Sequence, residues 1–163
     1  MMGFIIRKAI EQDIQQIQQV AKTSWNDTYE NIIPMEIQEN FLQSAYSDDM
    51  MVRRLETSLL LVAEQDNKVI GFANFSPVKD KQSELAAIYL YPSYKAKGIG
   101  TALLQKGICH LENVNMISVH VEKDNEVGMN FYKAKGFKKS SEFEEMLFGY
   151  TLKTIKMILN LYP

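Results

Sequence analysis

The sequence predicts a chain of the α/β (α+β) class: a single-domain, mixed and mostly antiparallel β-sheet flanked by helices, with a central parallel strand pair. Three observations carry that expectation. Two apolar runs, "SLLLVAEQ" (58–65) and "KVIGFANFSPV" (68–78), meet through Asp66 and Asn67, residue types that suit a hairpin turn. A third run, "SELAAIYLYP" (83–92), follows at once and stops at Pro92. A helical stretch then separates it from "MISVHVEK" (116–123), and a strand–helix–strand passage implies a right-handed crossover and a parallel pair.

The remaining elements follow in order. "FIIRKA" (4–9) reads as a strand. In the next segment Ile14, Ile17, Val20 and Ala21 recur at helical spacing, with Glu11 and Asp13 suited to the first turn. "NDTYENIIP" is expected as a loop, and a second helix restarts with Pro34 at its first position. "SDDMMVRRLET" reads as a short helix capped by Ser47 or Asp48. After the third strand of the meander come a helix over 98–112, the strand 116–123, a helix over 125–135, and two closing strands near 137–146 and 150–160.

At 163 residues the chain can bury a core unaided, and no repeat or Pro/Gly/Ser-rich linker divides it, so residues 1–163 are expected as one domain. No apolar run approaches the roughly 20 residues that span a bilayer, and "MMGFIIRKAI" lacks the long apolar core of a signal peptide; no membrane partner is expected. One cysteine, Cys109, excludes an internal disulfide and fits a reducing cytoplasm. Net charge is −2, yet Lys95 to Lys139 holds eight lysines against four acids, a balance suited to an anionic ligand. Nucleic acid would need a stronger basic stripe and is not expected. His110 and His120 lie ten apart on a helix and a strand, without metal-ligand spacing, so no metal is expected. Cys109, inside a helix, reads as a small buried residue rather than a nucleophile.

Chemistry gathers at "YPSYKAKGIGTALL" (91–104), where Gly98 and Gly100 stand between a strand and a helix. There the free N–H groups of a helix start favour an anion, and glycine lets it approach the main chain. A Walker loop is excluded because Thr101, not lysine, follows Gly100; a Rossmann fingerprint is excluded because Leu103 replaces its third glycine. Lys95, Ala96, Lys97, Gly98, Ile99 and Gly100 resemble motif A of the GNAT superfamily of N-acetyltransferases, Q/R-x-x-G-x-G/A, with Lys95 where the family has Gln or Arg. "VEKDNEVGMNFYKAKGF" (121–137) resembles the superfamily's later signature through Asn125, Phe131, Tyr132, Gly136 and Phe137, with Gly128 where alanine is usual. "SWNDTYENIIP" (24–34) resembles the loop between the first helices of bacterial members, some of which acetylate polyamines.

The resemblance implies the acyl-CoA N-acyltransferase fold and direct attack of an amine on the thioester of acetyl-coenzyme A. It implies that main-chain N–H groups across 97–101, Thr101 included, hold the pyrophosphate, with Lys95 and Lys97 adding charge. The pantetheine arm would lie like an added strand against Ile88, Tyr89 and Leu90. Asn125 would contact the cofactor and Tyr132 would be the general acid facing the thioester sulfur, while Glu84, or else Glu122, would be the base. Phe131 reads as core beside Tyr132. A base matters because an alkylamine of pKa about 10.4 is neutral in only about one molecule in a few thousand at pH 7. Trp25, Asp27, Tyr29 and Glu30 would roof the acceptor, aromatic and acidic groups that suit a cationic amine. The acceptor class stays open among polyamine, other small amine, amino acid and protein amino terminus. A non-catalytic coenzyme A or metabolite-binding module, or an adaptor without a ligand, would use the same fold, and the closing strands offer an edge for a homodimer.

Overall fold

The computed structural model describes residues 3–162. It places strands β1 (Ile5–Lys8), β2 (Leu59–Gln65), β3 (Lys68–Phe75), β4 (Gln82–Leu90), β5 (Met116–Glu122), β6 (Lys138–Leu147) and β7 (Tyr150–Asn160) in one sheet of order β1-β2-β3-β4-β5-β7-β6. Helices α1 (Ile14–Thr28), α2 (Met35–Ala45), α3 (Asp48–Thr57), α4 (Ile99–His110) and α5 (Glu126–Ala134) flank it, and only β4 and β5 run parallel. The expected mixed sheet with its parallel pair is therefore the observed one. No helix among the described residues is long and apolar enough to cross a membrane.

Alternation along the strands builds two cores. On β2, Leu61 and Ala63 join Ala73, Phe75 and Leu85 against Ile99, Leu103 and Leu104 of α4. Leu60 and Val62 point the other way, onto Ile17 and Val20 of α1 and Met51 of α3. The β2–β3 turn uses Asp66 and Asn67 in the left-handed region (φ 53° and 63°), matching the twist of a two-residue hairpin. Ser47 caps α3 by accepting the Met50 N–H.

Four expectations are corrected. α1 continues through Thr28, so Trp25 and Asp27 are helical: Trp25 stacks on Phe41 with ring centroids 4.2 Å apart and packs on Tyr29, and this contact overrides the turn preference of Asn26 and Asp27. Pro34 caps α2 one position before its first residue. β3 ends at Phe75, before Pro77, which has no N–H to give the ladder. Cys109 is exposed near the end of α4, because Leu103, Leu104 and Gly107 form the buried face of that helix.

One irregularity positions the site. Asn74 pairs with Ala87 but Phe75 with Leu85, so Ala86 is an extra residue, a β-bulge in β4. The bulge switches which face the strand buries: Leu85 enters the α4-side core and Ala87 the α1-side core. At the same place the parallel ladder stops, since β4 and β5 pair only at Gln82–Met116, Ser83–Ile117 and Glu84–Ser118.

Candidate active site

Beyond Glu84 the two parallel strands diverge and leave a cavity of about 380 Å³. Ala86 to Leu90 form one wall, and Val119, His120 and Val121 form the other. Antiparallel pairing with β3 occupies one side of β4 here, so the backbone groups on its other side face the opening. Ile88, Tyr89 and Leu90 all lie on this wall.

The cavity runs to the start of α4. Ala96 (φ 62°) and Gly98 (φ 83°) both take the left-handed conformation, which turns the chain so that the helix begins at Ile99. No side chain caps α4, and its first helical bond runs from the Ala102 N–H to the Gly98 carbonyl, so the N–H groups of Ile99, Gly100 and Thr101 have no partner within the helix. A Cβ on Gly100 would come within 3.2 Å of the Phe131 ring, which packs over the turn. Lys95, Ala96, Gly98, Gly100 and Thr101 line the cavity; the Ile99 side chain is buried beneath it, and the Lys97 ammonium lies over the Tyr94 ring.

Three phenols meet deeper in. Tyr29, just past the end of α1, lies close to Tyr89 on β4 and to Asn125, and Tyr132 on α5 lies near Tyr89. Burial, with Tyr89 adding repulsion, pushes the Tyr132 hydroxyl well above the ordinary phenol range. Asn125 caps α5 by accepting the Gly128 N–H at 3.0 Å, and a Cβ on residue 128 would come within 2.6 Å of its side-chain nitrogen, so glycine there makes room for the cap.

The other predicted acceptor groups separate. Tyr29 lines the cavity, while Trp25 is only 6% exposed and sits behind it. The Asp27 carboxylate lies 3.5 Å from Lys95 across the mouth. Glu30 is exposed beside a second hollow shared with Pro34, Gln38 and Tyr150. At the split end of the strands, Glu84 lies 3.8 Å from Nδ1 of His120. Glu122 is half-buried, which raises its carboxyl above the usual range although it accepts the Asp124 N–H at 2.6 Å.

Residues 14–137 match the profile of the Acetyltransferase (GNAT) family. The spermidine N(1)-acetyltransferase of Thermoplasma acidophilum is 32% identical over 145 residues, covering 84% of this chain and 89% of that protein. The chain belongs to the GNAT family of acetyltransferases. Consistent with this, the Bacillus subtilis protein known as uncharacterized N-acetyltransferase YuaI is 30% identical to this GNAT chain over 92% of its length and 89% of the relative's. The crystal structure of PaiA N-acetyltransferase from Thermoplasma acidophilum in complex with coenzyme A superimposes with a TM-score of 0.87 at 26% identity, covering 98% of this chain and 99% of that one. This GNAT protein is an acetyl-coenzyme A-dependent acyltransferase, and its cavity suits that cosubstrate: a helix start rich in free N–H groups at one end, an unpaired strand edge along the middle. No group of three or more potential metal ligands occurs among the described residues.

Several wall residues of this acetyltransferase escaped the sequence reading. Ser24 and Thr28 line the cavity, and their i, i+4 spacing would have placed them on one helix face had α1 been extended past Trp25. Phe131 is half-buried and lines the cavity, so it faces the turn as well as the core. His120, between Val119 and Val121 on β5, is turned away from the core by the two-residue alternation of the strand.

Proposed function

We propose that this protein, as one acetyltransferase domain spanning residues 1–163, transfers acetyl from acetyl-coenzyme A to a primary amine of a small molecule, a polyamine in the first instance. The observation that carries the reading is the continuity of the cavity. One hollow joins the glycine turn, the open edge of β4, Tyr132, and Ser24, Thr28 and Tyr29 of the α1 end. A donor bound from the α4 side and an acceptor entering past α1 would meet at the divergence of the strands.

In this reading the pyrophosphate is held by the N–H groups around Gly98 to Thr101 with Lys95 and Lys97 nearby, and the pantetheine amides by Ile88, Tyr89 and Leu90, with Asn125 at the far wall. Tyr132 stays protonated because burial disfavours its phenolate, and it presents its O–H to the departing thiolate. The acceptor's proton leaves at the opposite end, where Glu84 and His120 face each other. Tyr29 shapes the acceptor end, with Trp25 packed against it and Asp27 at the mouth. The spermidine acetyltransferase relative supports a polyamine as the first amine to try. Thiol release from acetyl-coenzyme A should accelerate at least tenfold over the protein-free rate with spermidine or another amine of a panel containing putrescine, tyramine and free amino acids. Cofactor binding without acceleration by any of them would overturn acetyl transfer to a small amine.

A further inference from the structure

Ile117, Val119 and Val121 of β5 point into the α4-side core, which turns Ser118, His120 and Glu122 to the opposite face. Pairing with β4 ends at Glu84 and Ser118, so His120 is the first residue on that face beyond the split. It lines the cavity, and Glu84 does not. Its Nδ1 lies 3.8 Å from Glu84 Oε2, while Phe143 of β6 stands edge-on to the ring at a centroid distance of 5.4 Å. On the same face stand Lys156, its cross-strand partner on β7, Glu122 on its own strand, already tied to the Asp124 N–H, and Glu145 of β6, which accepts from the Thr154 hydroxyl. From α1 the cavity receives Ser24, Thr28 and Tyr29, none of them charged at neutral pH.

A carboxylate facing Nδ1 favours the tautomer with its proton there, which leaves the Nε2 lone pair free. The separation exceeds a hydrogen bond, as such contacts often do before substrate arrives and tightens them. We infer that His120 takes the acceptor amine's proton through Nε2 and that Glu84 is a positioning residue that holds the ring. This rests on the acetyl-transfer reading above. The entering ammonium gives a proton to Nε2, which passes it to solvent. The neutral nitrogen then attacks the thioester carbon, so that an N–C bond forms and the C–S bond breaks. The thiolate takes the Tyr132 proton, and the remaining amine proton, leaving through His120 and water, restores the phenol. One amide, one thiol and one released proton result.

The test is thiol release with the same amine panel from pH 5 to 9, on the unaltered protein, His120→Gln and Glu84→Gln, with acetyl-coenzyme A affinity read by calorimetry. His120→Gln should lower kcat/KM at pH 7 by about 10²- to 10³-fold and replace the plateau above the acid limb with a rate that rises about tenfold per pH unit with the neutral fraction of the amine, with cofactor affinity unchanged. Glu84→Gln should cost about tenfold in kcat and leave KM and cofactor affinity in place, because the ring keeps its position in the cavity wall but loses the carboxylate that orients it. A plateau that survives His120→Gln, or one that disappears only in Glu84→Gln, overturns the assignment while leaving acetyl transfer standing. An unaltered protein that binds acetyl-coenzyme A and turns over no amine overturns both.

Discussion

Under the acetyl-transfer reading, Tyr132 would take its task from its surroundings. Its ring packs at 5.4 Å from Phe137 and 5.5 Å from Phe131, and its hydroxyl shares the cavity with Tyr29 and Tyr89. Because burial and the neighbouring phenol both disfavour its anion, the O–H persists across the whole range in which an amine acetyltransferase would be assayed. Tyr132→Phe should therefore lower kcat by about 10²-fold and leave the acetyl-coenzyme A dissociation constant within about twofold. Rapid-quench turnover with calorimetry checks this, and an unchanged kcat with a substrate whose chemistry is slow would remove the phenol from the reaction. The letters "NFYKAKGF" pointed to this residue, and the glycine turn to the backbone at 97–101, because both depend on local sequence. His120 was not legible in the same way. Its place beside Glu84 is set by the register of two strands brought together by a crossover of more than twenty residues.

At the level of elements, the join between β1 and α1 rests on a charged clasp. Arg7 on β1 donates to Asp13 at 2.7 and 2.9 Å and to Glu64 on β2 at 2.9 Å, while Asp13 also accepts the Ile10 N–H at 2.8 Å. Burial pushes the Asp13 carboxyl upward, but Arg7 and the Ile10 N–H outweigh it and hold the group below the usual carboxylate range. A carboxyl depressed in the folded state stabilises above its unfolded value of about 4, and that contribution disappears as pH falls through the folded value. Asp13→Asn should thus cost about 3 kcal/mol at pH 7, and the gap in melting temperature should narrow at pH 3. An equal gap at both values would show that charge plays no part in the clasp. Sequence reading put Glu11 and Asp13 in the helix's first turn, whereas they form a short 3-10 turn that leaves Asp13 at the N-cap of α1, and its ion pair with a residue six positions earlier followed from tertiary structure alone. The same limit explains the missed last turn of α1: the stacking of Trp25 on Phe41 joins two helices, and no local propensity reports it.

For the whole molecule, the sheet is two panels sharing a short border. β1 to β4 make one, β5, β7 and β6 the other, and three residue pairs join them before the strands part. The class of fold was readable because hairpins and crossover leave periodic traces, whereas the bulge at Ala86 leaves none: an alanine in a strand looks like any other. Acetyl-coenzyme A should bind both panels at once and raise the melting temperature by about 5 to 10 °C at 100 times its dissociation constant, from roughly 2.7 kcal/mol of added stability. A scan with and without the cosubstrate measures this, and an unmoved midpoint would mean that the folded chain does not bind it. The short border also has a dynamic side. Opening free energies within a native protein are lowest where few backbone bonds and little packing resist them, so the amides of β4 beyond the bulge that β3 does not hold should be the first in the sheet to trade their hydrogens with solvent, and the substrate that fills the gap would be what slows them.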